Sequence, residues 1–234
     1  MNINSANPPL VMVHGWGGSH QETWQKSGVE QLLTESGRTV IGVDLLGHGT
    51  AAKPHDPAAY SDISEPIRTA IGARSSTVDA VGFSLGAIAL LHAATVNPNY
   101  FRRLMLVGIG NGVLDEHDPS ETQRIVGGIE GTSATDDVLA RQFGNYAKKT
   151  SNDPSALKAV LLRPRSKPFE PKDLKTISAR VSVVIGDRDF VLPADRLIES
   201  FENCELTILK NCDHFATPEN FGFIDRLLEF FGAE

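Results

Sequence analysis

The residue best placed to do chemistry is a serine. Residues 78–91 read VDAVGFSLGAIALL, and Ser84 sits at the middle of that run with Gly82 two places before it and Gly86 two places after. If a strand passes here directly into a helix, the backbone at Ser84 must turn within one residue, a strained conformation that lifts the hydroxyl above the sheet. Side chains two residues to either side would collide in so sharp a bend, which favours glycine at both places. The helix N-terminus then offers a free backbone N–H and a partial positive charge beside the oxygen. Such a hydroxyl is suited to attack an acyl carbon once an imidazole takes its proton. The chain has seven histidines, and their positions alone do not say which of them serves.

The elements that must position these groups can be read from the hydrophobic pattern. Continuous β-branched or apolar runs occur at 10–15, 39–44, 77–83, 102–108, 180–186 and 205–210. Runs this short, without polar alternation, predict strands buried on both faces. Helical segments lie between them. Ser19 and Glu22 have capping-box spacing before TWQKSGVEQLL, and SEPIRTAIGA carries Pro66 near its start with Ile67, Ala70 and Ile71 on one face. LGAIALLHAATV follows the third strand at once, PADRLIESF follows the fifth, and PENFGFIDRLLEFF comes last. Strand and helix alternate, so a mostly parallel sheet of about six strands, covered on both sides, is expected. The alternation breaks between residues 111 and 173, where acidic and glycine-rich stretches, helix-like DDVLARQFGNYAKK and PSALKAVLL, and proline-dense RPRSKPFEPKD replace any clear strand. An insertion of that length is too long for a simple connection and is expected to form a small helical cap. The domain division is then a core of residues 1–110 and 174–234 with a cap at 111–173.

Composition narrows the function classes. With 22 Lys and Arg against 29 Asp and Glu, the net charge is -7 and the basic residues are scattered, so no nucleic-acid partner is expected. No run of 18 apolar residues occurs and the N-terminus lacks a charged start, which predicts a cytoplasmic protein without a membrane span. Cys204 and Cys212 are the only cysteines and are expected as free, partly buried thiols, with a single bridge across the short loop between them as the alternative. The GIGNGV run at 108–113 lacks the third glycine of a dinucleotide loop, and there is no phosphate-loop lysine, no H-E-x-x-H and no Cys-x-x-Cys. Neither nucleotide nor metal is implied, and no cofactor is expected.

The strand, the G-x-S-x-G turn at 82–86 and the helix after it resemble the nucleophile elbow of the α/β-hydrolase family. Three more matches follow in order along the chain. HGWGG at 14–18 resembles the family's oxyanion loop, and that resemblance implies that the backbone N–H groups of Trp16 and Leu85 receive the oxygen that becomes negative. DLLGHG at 44–49 resembles the turn after the next strand, with Asp44 and His48 structural. VVIGDRDFVLP resembles G-x-x-D-x-x-x-P with Gly186, Asp189 and Pro193, and LKNCDHFATPE places His214 in the loop after the last strand. The implied chain order is Ser84, Asp189, His214: nucleophile, acid and base. Asp187 is the alternative acid. Asp213 is expected as a solvated loop charge and Cys212 as a bystander. His92 is expected as a packed or surface residue on the helix after the elbow, while His20, His55 and His117 have no strand-end context. Only nine residues precede the first strand, leaving little room for the antiparallel hairpin with which many family members begin.

The resemblance implies a cofactor-independent serine hydrolase, a carboxylesterase acting on a small or medium acyl ester through an acyl-enzyme. Lactones, thioesters, carbon–carbon bonds or acyl transfer fit the same three residues, and a non-catalytic binding or sensor protein is the alternative from another class. The oligomeric state is not legible in the sequence.

Overall fold

The computed structural model describes residues 7–72 and 77–232. The end of the helix expected at 64–73 and the start of the N-terminal run lie outside these residues. All six expected strands are present: β1 (Leu10–Val13), β2 (Val40–Val43), β3 (Val78–Phe83), β4 (Phe101–Val107), β5 (Arg180–Gly186) and β6 (Cys204–Leu209). They form one sheet in the order β2-β1-β3-β4-β5-β6. Every pairing in it is parallel, from Leu10 opposite Val40 at one side to Gly186 opposite Leu209 at the other.

Because side chains alternate along a strand, each strand feeds two cores. On one face Leu10, Met12, Val81, Met105 and Val184 pack with Trp24, Leu33, Phe223, Leu227 and Phe230. These come from the segment around α1 (Val29–Glu35) and from α9 (Phe221–Phe231). On the other face Val11, Val13, Ala80, Leu104, Leu106 and Val183 meet residues of α2 (Glu65–Ile71), α3 (Leu85–Val96) and α8 (Asp195–Glu199). The inner strands β1 and β3 are buried throughout. The outer ones are not: Leu206 and Ile208 of β6 are each more than two-fifths exposed, and β2 is half-covered. Apolar content at these two positions marks edge strands rather than strands buried on both faces.

Two helical expectations change. The first expected helix is broken: a short π-wound turn at Gln21–Gln25 stops where Gly28 takes a left-handed φ of 78°, and α1 starts afresh. Ser19 Oγ accepts the Glu22 N–H, so the capping signal marks the turn and not the longer helix. Between β4 and β5 the chain forms α4 (Pro119–Glu130), α5 (Val138–Ala147), α6 (Pro154–Leu161) and the single turn α7 (Pro171–Leu174). Helix α4 falls in the stretch read only as acidic and glycine-rich. Gly128 of α4 and Gly144 of α5 let the two helices touch, since a Cβ on Gly128 would strike the Ala140 carbonyl and one on Gly144 the Gly128 carbonyl. Among the described residues no helix is long and apolar enough to cross a membrane.

After β1 the chain steps outward to β2, then returns past β1 to β3 and proceeds the other way. The sheet therefore reverses direction between β1 and β3, and ligands of open parallel sheets lie beyond the carboxyl ends of the strands at such a point.

Candidate active site

Ser84 occupies that position. It is the single residue between β3 and α3, with φ 51° and ψ -113°, a conformation rare for a residue with a side chain. A Cβ on Gly82 would lie 2.6 Å from the backbone carbon of Gly86, across the bend. A Cβ on Gly86 would lie 2.5 Å from the His14 carbonyl oxygen, so the second glycine is required by the end of β1 rather than by the bend itself. The Ser84 N–H donates to the Val107 carbonyl at 2.7 Å, and its own carbonyl accepts from Ile88 to open α3.

The structure brings Ser84, His214 and Asp189 together from separate strand ends. Ser84 Oγ lies 3.0 Å from His214 Nε2, while His214 Nδ1 lies 3.0 and 2.9 Å from the two Asp189 oxygens. Nδ1–H must donate, because the carboxylate only accepts, and in the neutral ring this tautomer turns the Nε2 lone pair toward the serine hydroxyl. The His214 and Asp189 side chains are 4% and 0% exposed, and the imidazole is flanked by Phe83 and Phe190 at centroid distances of 4.9 and 4.5 Å. Asp187 does not reach the ring. It is exposed and its Oδ1 accepts the Cys212 N–H at 3.1 Å. Backbone N–H bonds from Asn211 and then Cys212 hold its carboxyl below the ordinary value. Asp187 thus ties the end of β5 to the loop that carries His214. Asp213 caps the same loop by accepting from Ala216 N–H.

The loop after β1 lies alongside. Neither the Trp16 nor the Leu85 backbone N–H has a hydrogen-bond partner among the described residues. The loop is held from below and above. Below, His14 Nδ1–H donates to the Gly15 carbonyl at 2.7 Å and Nε2 accepts from Leu45 N–H. Burial pushes the His14 pKa down to about 4, and that of the adjoining His48 to about 3. Asp44 accepts the backbone N–H groups of His20 and Thr50. Above, the Trp16 indole donates to the Leu157 carbonyl of α6 at 3.0 Å, and Asn152 Nδ2 donates to the Gly17 carbonyl at 2.8 Å.

Ser84 opens into a cleft of about 790 Å³ between the strand ends and the α4–α7 segment. His92 lines it, with its ring 4.6 Å from that of Phe169. The sequence contained a signal for this, since Ser84, Ile88 and His92 recur every four residues and so share a helix face. His117 also lines the cleft, bonded to Thr122. His20 and His55 pair elsewhere, with Glu30 and Asp153. Cys204 and Cys212 are free thiols, the second buried against Thr217. Arg163 and Arg165 line the cleft too; nothing in the run RPRSKP marks which of its charges face inward.

A chain with hydroxyl, imidazole and carboxylate in sequence, and free N–H groups nearby, can deprotonate the hydroxyl as it attacks and receive negative charge on a carbonyl oxygen. Comparison with known proteins bears on the family and the fold. A family model described as "Alpha/beta hydrolase family" matches residues 10–223. A 2-hydroxy-6-oxononadienedioate/2-hydroxy-6-oxononatrienedioate hydrolase of Paraburkholderia xenovorans is 25% identical over 96% of this chain and 86% of that protein. Among solved structures, a carboxylesterase of the thaumarchaeon Nitrososphaera gargenis superimposes with a TM-score of 0.75 at 20% identity, covering 96% of this chain and 89% of that one. The 2-hydroxy-6-oxo-6-phenylhexa-2,4-dienoate hydrolase of a Rhodococcus strain gives 0.70 at 19% identity, covering 96% and 90%.

Proposed function

This chain belongs to the alpha/beta-hydrolase family, and from that premise we propose that it is a cofactor-independent serine hydrolase of the carboxylesterase type. The observation that carries the reading is the continuous hydrogen-bonded path from Ser84 through His214 to Asp189. Ser84 Oγ attacks the ester carbonyl while His214 Nε2 takes its proton, and Asp189 holds the ring and stabilises the imidazolium. The Trp16 and Leu85 N–H groups receive the oxyanion. As the tetrahedral species collapses, His214 returns the proton to the leaving alcohol; water then attacks the acyl-enzyme by the same relay and frees the acid. Residues 111–173 serve as the cap, closing the cleft over the acyl group.

A fluorophosphonate probe with mass mapping tests the nucleophile. The adduct is expected on Ser84, and Ser84→Ala is expected to lower kcat by on the order of 10⁴ to 10⁶ with the fold retained. Labelling elsewhere, or near-normal ester turnover by the variant, rejects the assignment.

The Paraburkholderia relative favours a second reading, hydrolysis of a carbon–carbon bond next to a ketone by the same three residues. Turnover of a vinylogous diketone acid in preference to every ester of matched size would select it.

A further inference from the structure

The cleft is lopsided in charge. Among the described residues its one acidic lining residue, Asp115, is fully engaged by Arg196 through contacts of 2.8 and 2.6 Å. Arg163 and Arg165, in contrast, have no carboxylate within ion-pair distance among the described residues. Arg163 is 8% exposed, yet a single N–H of its guanidinium has a protein partner, the Val160 carbonyl at 2.7 Å. Among the described residues Arg165 donates hydrogen bonds only to the Thr122 hydroxyl and the Leu161 carbonyl, at 3.2 and 3.3 Å. A guanidinium offers five N–H donors, so most of those in this pair are free to face a ligand. Burial, with Arg165 beside it, pushes the Arg163 pKa down to about 9. Leaving a buried cation unpaired is strongly unfavourable, and an anion entering the cleft relieves it.

We propose that Arg163 and Arg165 form an anion-binding subsite that receives a carboxylate of the substrate at the end of the cleft remote from Ser84. The planar fork of arginine suits a carboxylate's two oxygens. Distance sets the chain length. His92, beside the arginines, lies eight residues along α3 from Ser84, or about 12 Å at 1.5 Å per residue. Three backbone bonds span at most about 3.6 Å, so a carboxylate at that depth stands roughly ten bonds, about the length of sebacate, or more from the carbonyl under attack. The substrate class that fits is a half-ester of a dicarboxylic acid, or another acyl compound with a distal carboxylate.

The proposal rests on the hydrolase reading above, and the test separates the two. Monomethyl esters of diacids from succinate to sebacate are compared with methyl esters of monoacids of equal length. A kcat/KM ratio of roughly tenfold or more in favour of the half-ester is expected at the longer members. Arg163→Gln and, independently, the more open Arg165→Gln are expected to lower that ratio by roughly tenfold. A ratio at or below one for every chain length, or one unchanged in both variants, overturns the subsite. A merely structural arginine would alter stability and both ester series alike. Binding is read without turnover by titrating Ser84→Ala with sebacate and with decanoate. Tighter sebacate binding that Arg165→Gln abolishes upholds the subsite even if no ester is hydrolysed. Equal binding, with Ser84 still labelled by fluorophosphonate, removes the subsite and leaves the hydrolase reading standing.

Discussion

Two carboxylates two residues apart follow β5, and only one meets His214. Alternation along an extended chain would send Asp187 and Asp189 the same way, but the chain turns after β5, with Asp189 N–H donating to the Gly186 carbonyl. Asp189 is thereby swung under the ring, and Asp187 is left to brace the neighbouring loop. Asp189→Asn is expected to lower kcat by on the order of 10³ to 10⁴, because the amide no longer stabilises the imidazolium. Asp187→Asn should reduce it by less than about tenfold, since it only loosens a loop; steady-state kinetics on one ester decides, and the reverse order sinks the assignment. The serine, histidine and aspartate were legible because each falls at a strand end in a recognisable pattern. The arginine pair was not, because being unpaired depends on which acids fold nearby.

At the level of elements, the six strands were legible because inner strands of a parallel sheet need apolar residues on both faces. Helix α4 was hidden by Gly127 and Gly128, which read as breakers, yet Gly128 is what lets α4 lie against α5. The break before α1 was hidden for the opposite reason: the apolar period runs through Gly28 while the backbone does not. The elbow makes a sharper demand. Gly86→Ala would press a methyl group against the backbone of β1, which cannot yield without moving the sheet, so a loss of about 3 kcal/mol or more, or failure to fold, is expected. Gly112→Ala, with nothing within 4 Å of the new Cβ, should stay within about 0.5 kcal/mol. Urea unfolding of the two variants checks the contrast, and equal midpoints would refute it.

For the molecule as a whole, acid is the predicted weakness. His14 and His48 are fully buried, with pKa values pushed down to about 4 and about 3 from 6.5. Below pH 6.5 the unfolded chain binds protons that the folded one refuses, so stability is complete above that value and drains away as pH falls toward the folded values. Between pH 6.5 and 5 each imidazole should remove on the order of 2 kcal/mol. Urea midpoints are expected to drop over this range, and to drop less in His48→Asn, whose amide N–H can still reach the Leu46 carbonyl; an unchanged slope would contradict the account. The two bonds from Trp16 and Asn152 carry a different implication. Because the loop beneath is fastened to helix α6 and the residues before it, swinging those helices wide for entry would slacken the Trp16 backbone N–H too. Under the function proposed above, an agape molecule is then a disarmed one, and the cradle for a substrate's oxygen is drawn taut only once those helices have come to rest.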